Sequence, residues 1–295
     1  MLNVPSVASS SLDPEVASPI VRVSGLVGLP FLQHGFSTRT CGNLATRYGP
    51  PAEVGAARRT FARVAGIDAG RVAHFALTHS SRVGLVSDPD SMPIDSTPHR
   101  ISVRGLLADA SPRDLSFINA QGIPNQQGVD SLITTTRNLA LFMVVGDAAP
   151  VIITTRQGKA VALVNVGLVG TVNNVLENTI EALCHLVACQ PSDLVVGIGP
   201  TVGPCCYALA QSLTWAQVVS PAFFQRHGPN APGIIIRDEQ YFFDLPRMIG
   251  HILEQTGVQT SNIHSIDLCT ACPDTAFFGH YAGVAGRFGA LVALR

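Results

Sequence analysis

A chain of 295 residues with 46% hydrophobic side chains can bury a substantial core, in one large domain or two ordinary ones. Its 19 basic and 20 acidic residues give a net charge of −1 with no basic run, which excludes the electrostatic footprint of a nucleic-acid or anionic-membrane partner. Charged residues make up only 13%, so the surface is expected to be polar in uncharged ways or covered in a homo-oligomer.

The first 18 residues are rich in Ser, Pro and Ala without periodicity and read as a loose leader, with the rest of the chain, 19–295, forming one domain. This start has no basic stretch followed by an apolar run, and no segment approaches about 18 unbroken apolar residues. The expectation is therefore a cytoplasmic protein without a signal peptide or spanning helix. Apolar residues at Val54, Ala57, Phe61, Val64 and Ala65 have helical spacing and predict a helix over 53–66, stopped by Gly66. A short strand follows at 83–86. Residues 87–128 then recur in Pro, Ser, Gly and Asn, and their length marks either a functional lid or an insertion.

Short β-branched runs at 131–136, 139–146 with 151–155, and 160–167 predict strands buried on both faces. Residues 171–188 repeat apolar positions as an amphipathic helix, with Thr171 placed as its cap and Asn174 in a weak capping box. A strand at 194–199, a helix at 209–219, a hairpin-like pair around 234–246, a helix at 247–257 and strands at 265–269 and 288–294 complete the chain. Strands and helices alternate without a repeat or a break in composition, which predicts a single α/β domain with mixed sheets.

Five stretches carry more specific information: HGFSTR at 34–39, THSSRV at 78–83, VDSLITTTRNLALFMVVGDAAPVII with AVALVNVGLVGTV over 129–172, GIGPTVGPCCYALAQS at 197–212, and DLCTACPDTAFFGHYAGVAGRFGALV at 267–292. In this order and spacing the chain resembles the laccase-domain family, also called multicopper polyphenol oxidases. Its bacterial and human members are described as zinc-dependent purine nucleoside phosphorylases with adenosine deaminase activity. The resemblance runs from about residue 20 onward and implies a four-layer αββα sandwich with a site at the ends of the central strands.

The resemblance also implies a zinc held by a His in a Gln-Val-His-Gly stretch, the Cys of Ala-Asp-Cys, and the His that opens His-Ala-Gly-Trp-Arg-Gly. In this sequence those positions are His79, Ala148 and Asn165, so two of the three expected ligands are missing. Alanine offers no lone pair and a neutral amide is a weak zinc donor, so zinc is expected to be weak or absent. Ala148 equally removes the sulfur of any thiol nucleophile. The family's Trp-Arg is Leu168 and Val169, and its polar turn after FF has become Gly279, His280, Tyr281 and Ala282.

Arg39 retains the arginine of HGFSTR and Asp147 the acidic residue beside the lost cysteine, and these two are the expected catalytic residues. For Arg39, orientation of a phosphate or carboxylate stands beside a structural salt bridge. For Asp147 and Asp130, catalysis stands beside the capping of backbone N–H groups. His79 reads as the remaining metal ligand or as a hydrogen-bonded histidine at a strand end, and His34 is similar. His280 falls near the site as a candidate replacement ligand.

Seven cysteines, odd in number and sparse, fit reduced thiols that mostly sit in the core. Cys269 and Cys272 nevertheless form a CxxC and Cys205 and Cys206 are adjacent, so four thiolates offer a rival metal or redox site. Vicinal cysteines fit one tetrahedral ion awkwardly, and family members without such a role carry cysteines nearby. Three functions follow: a non-catalytic relative that binds a purine nucleoside or similar small molecule, an active purine nucleoside phosphorylase using phosphate, or a cysteine-based metal or redox module. Copper oxidase chemistry lacks the His and Cys clusters it requires.

Overall fold

The computed structural model describes residues 18–75, 77–87, 94, 106–108, 129–209, 220–228 and 230–295. Residues 1–17 of the leader, the expected helix at 209–219 apart from Leu209, and most of the 87–128 segment lie outside the described residues.

In chain order the strands are β1 (Ile20–Val21), β2 (Leu32–Ser37), β3 (Val72–His74), β4 (Val83–Leu85), β5 (Leu106–Ala108), β6 (Ser131–Thr134) and β7 (Ala140–Val145), followed by β8 (Ala149–Thr155), β9 (Val161–Val166), β10 (Leu194–Ile198), β11 (Ile234–Arg237), β12 (Gln240–Phe243), β13 (Ile263–Ser265) and β14 (Phe288–Leu294). The helices are α1 (Ser24–Val27), α2 (Pro51–Ala65), α3 (Leu168–Val172), α4 (Val175–Val187), α5 (Ser220–His227) and α6 (Leu245–Gln255).

The strands form a five-stranded sheet in the order β1-β2-β14-β7-β3, a seven-stranded sheet in the order β13-β10-β8-β9-β6-β4-β5, and the hairpin β11-β12. Both large sheets mix parallel and antiparallel pairs. The β-branched runs behave as their composition predicts: every residue of β6, β8, β9 and β10 is buried. Side chains from the two large sheets, among them Phe36, Met143, Ile152, Leu163 and Phe288, share one core cluster. A second joins α3–α6 to the seven-stranded sheet, and a third joins α2 to the five-stranded sheet. Part of the 87–128 segment is integrated into this architecture, since β5 pairs with β4 and Ile94 is fully buried.

The helix expected over 53–66 forms with Pro51 in its first turn, and Gly66 ends it in the left-handed region at φ 75°. The helix expected over 171–188 does not form as one piece. It is split into α3 and α4 at Asn173 and Asn174, where Asn174 adopts φ 63°, a conformation that Asn tolerates. Thr171 lies inside α3 and donates its hydroxyl to the Leu168 carbonyl, and Asn174 makes no side-chain cap. The break lets Asn173 Nδ2 donate to the His79 carbonyl at 3.1 Å, while Asn178 in α4 reaches Ser81 O. Apolar periodicity could not reveal it, because the turn is driven by these cross-loop amide contacts. Among the described residues, no helix is long and apolar enough to cross a membrane.

His34 sits in β2 with 2% exposure and accepts from the Val23 N–H through Nε2 at 3.0 Å. Burial, aided by the Arg22 charge, lowers its pKa from 6.5 to about 4. Because the folded value is depressed, this contribution to stability is complete above about pH 6.5 and declines as pH falls toward 4. The expected loss is about 3 kcal/mol. Urea unfolding of the protein and of His34→Gln across this range should show a steeper acid decline in the parent. Parallel curves would refute the assignment.

Candidate functional site

The β7–β8 connection passes from one large sheet to the other, and this crossover places Gly146, Asp147 and Ala148 at the mouth of a cavity of about 530 Å3. The β8–β9 register pairs Ala149 with Val166 and Pro150 with Asn165, so Ala148 and Asn165 reach the same sheet end. His79 joins them from the loop before β4, where its φ of 56° is held by the Asn173 contact to its carbonyl. All three positions expected to carry metal ligands therefore line one cavity, as His79, Ala148 and Asn165.

Asp130, 1% exposed, organises the floor. Its Oδ2 accepts from the backbone N–H groups of Thr78 and Ser80 at 3.2 and 2.6 Å and from both of their hydroxyls. Its Oδ1 accepts from Asn165 Nδ2 at 2.9 Å. A carboxylate only accepts, so the Asn165 amide must turn its NH2 toward Asp130. The opposite atom, Oδ1, is buried without a hydrogen-bond partner among the described residues. Asn165 thus holds a carboxamide in fixed orientation where the resemblance implies a histidine ligand.

Asp147 lines the cavity and is already engaged. Its Oδ1 accepts from Thr270 Oγ1 at 2.8 Å, and its Oδ2 accepts from the backbone N–H groups of His280 and Tyr281 at 2.6 and 3.1 Å. Gly279 permits this approach, because a Cβ there would come within 2.5 Å of Asp147 Oδ1. Arg39 is not among the residues lining the cavity. Its Nε donates to the Phe277 carbonyl at 2.8 Å, its backbone N–H donates to Ala276 O, and its guanidinium lies 5.9 Å from the centre of the Phe278 ring. These contacts fix the loop before Gly279.

The cavity's guanidinium is instead that of Arg287, just before β14, stacked over Tyr48 at 4.6 Å. Arg287 was hidden in the sequence because it belongs to a turn of small residues with no distinctive spacing. Tyr207 and Tyr281 pack at a tilt of 59° with ring centroids 5.0 Å apart, and both line the cavity. Burial, with the neighbouring Tyr281, holds the Tyr207 hydroxyl well above the usual phenol range, and burial with the Asp147 charge raises Tyr281. Both remain neutral donors at pH 7. His280 also lines the cavity and is exposed at its rim.

The expectation that the cysteines mostly sit in the core is corrected: only Cys41 is buried. Cys205, Cys206, Cys269 and Cys272 converge, with all four sulfurs within 4.8 Å of one another, and can hold a metal ion. They are the single group of three or more His, Cys, Asp or Glu side chains so arranged among the described residues. The tight turn at 203–207, closed by bonds from Cys206 N and Tyr207 N to Gly203 O, aims both vicinal thiols at Cys272 and removes the expected awkwardness.

The two mixed sheets, with a cavity where the chain crosses between them, define the class as a mixed α/β domain with a concave site at its strand ends. The chain belongs to the multi-copper polyphenol oxidoreductase laccase family, whose model matches residues 33–295. It is 30% identical over 156 residues to the human protein named "Purine nucleoside phosphorylase LACC1", covering 51% of this chain and 34% of that protein. It is 28% identical over 172 residues to "Purine nucleoside phosphorylase YlmD" of Geobacillus stearothermophilus, covering 57% of this chain and 61% of that one. The chain thus spans between about a third and three fifths of these two relatives. The crystal structure of YlmD from Geobacillus stearothermophilus superposes with a TM-score of 0.73 at 22% identity, covering 95% of this chain and 97% of that one. The Bacillus licheniformis hypothetical protein YfiH gives the same TM-score at 19% identity, covering 94% and 97%.

Proposed function

We propose that the cavity binds a purine nucleoside or a similar small molecule and that catalysis of the phosphorylase or deaminase type is weak or absent, because the zinc site is dismantled. One observation carries this reading: the three expected ligand positions surround one cavity yet offer an imidazole, a methyl group and a carboxamide. A catalytic zinc needs about three good donors and an open position for water. His79 alone cannot hold a divalent ion tightly enough to bring its bound water toward neutral pKa. The residues present do not fit the metal.

What the cavity retains suits recognition. Tyr207 and Tyr281 offer aromatic surface to a planar heterocycle, and Arg287 a cation for a phosphate or carboxylate. Asp147 and Arg39 act as positioning residues for the His280–Tyr281 wall. The relatives' printed names support a nucleoside as the ligand class. Free cysteines fit a reducing compartment such as the cytoplasm.

The test incubates the purified chain with adenosine, inosine and methylthioadenosine, with phosphate and added zinc, and measures binding in parallel by calorimetry. The expected result is binding of at least one nucleoside with no product above a heat-killed control. Zinc-stimulated turnover would establish the active phosphorylase or deaminase reading instead, and absence of any binding would remove the nucleoside.

A further inference from the structure

We propose that Cys205, Cys206, Cys269 and Cys272 form a tetrathiolate site for one zinc ion, which clamps the 203–207 turn to the 269–272 loop. The site uses none of the three expected ligand positions in the cavity. Its argument begins with distance. Cys272 Sγ lies 3.5 Å from Cys205 Sγ and 3.9 Å from Cys206 Sγ, and no pair of the four exceeds 4.8 Å. Four sulfurs bonded to one zinc at about 2.3 Å stand about 3.8 Å apart in a tetrahedron. The four sulfurs thus match the spacing of one tetrahedral ion, and all four are free thiols rather than disulfides.

The backbone is arranged before any ion arrives. Thr201 bridges to Cys269 in parallel register, and Thr270 N donates to Thr201 O at 3.0 Å, which fixes the two loops side by side. Cys269 Sγ accepts from the N–H groups of Gly203 and Ala271 at 3.2 and 3.4 Å. Such N–H···S bonds stabilise a thiolate and orient a metal ligand from outside its first shell. Four crowded thiols cannot ionise together unless a cation compensates them. Thiolate donors select zinc, copper(I) or iron, and spacing this tight encloses a single ion rather than a cluster.

The clamp also bears on the cavity. The turn carries Val202 and Tyr207 into its wall, and the loop continues through Thr270 to the Asp147-anchored His280 and Tyr281. Removing the ion should loosen this wall without removing a ligand contact.

The test titrates cobalt(II) into the reduced, metal-free protein. One equivalent should produce the sulfur-to-cobalt charge-transfer band and the intense visible bands of a tetrahedral tetrathiolate, and one equivalent of zinc should bleach them. In Cys272→Ser and in Cys269→Ser the tetrathiolate spectrum should be lost. Chelation of the zinc-loaded parent should lower its melting temperature by about 5 °C or more. The chelation and cobalt measurements on the parent stand even if a variant fails to fold. A reduced parent that binds no cobalt tetrahedrally, retention of the full spectrum in both serine variants, or native disulfides among these four cysteines would overturn the proposal.

Discussion

Replacing Asp130 by alanine is expected to destabilise the protein by about 3–5 kcal/mol, the largest single-residue effect foreseen outside the apolar core. The carboxylate is buried and serves Thr78, Ser80 and Asn165 at once, with two backbone N–H groups among its donors. Alanine would strand those donors away from water, each at a cost of about 1–3 kcal/mol before relaxation. The loop carrying His79 would lose its anchor and Asn165 its fixed orientation. Urea unfolding reads the effect, and Asp130→Asn, which keeps one acceptor oxygen, should fall between the two. A loss below about 1 kcal/mol would mean that the loop and Asn165 are held by other contacts.

The second large effect is a gain. Ala148→Cys combined with Asn165→His should create zinc affinity at the cavity, adding one equivalent to whatever the parent binds. Histidine at 165 can turn a ring N–H to Asp130, the carboxylate–histidine arrangement that fixes the tautomer of many zinc ligands. Cysteine at 148 stands on the connection facing it, and His79 lines the same cavity. With three donors in place the affinity should rise at least about 1000-fold over the parent cavity. Counting zinc in the double variant against the parent, with the Cys272→Ser background as a further pair, separates this site from the cysteine cluster. An unchanged count in both backgrounds would show that the cavity does not assemble the three positions.

The fold was largely legible because its strands are written in β-branched runs: residues 131–134, 149–155, 161–166 and 194–198 are strands buried along their whole length. The break between α3 and α4 was not, because Asn173 and Asn178 bond to a loop about 95 residues away. The three positions that the resemblance implies as ligands, His79, Ala148 and Asn165, line one cavity. Arg287 and the tyrosine pair were not legible, since neither has a local pattern, and Tyr207 and Tyr281 come together through the Asp147 hub. Arg39 stands outside the cavity lining, with its Nε and its backbone N–H donating to the carbonyls of Phe277 and Ala276, a placement that the motif alone could not reveal. The cysteine cluster was present in the sequence as two ordinary pairs, which long-range contacts such as the parallel bridge between Thr201 and Cys269 bring together.

The central proposal, that His79, Ala148 and Asn165 do not together hold a catalytic ion, is tested most directly by anomalous diffraction at the zinc edge. Crystals of the parent grown with excess zinc should show an ion among the four cysteine sulfurs and none beside His79. A fully occupied peak beside His79, with donors supplied by His280 or another side chain, would contradict the account.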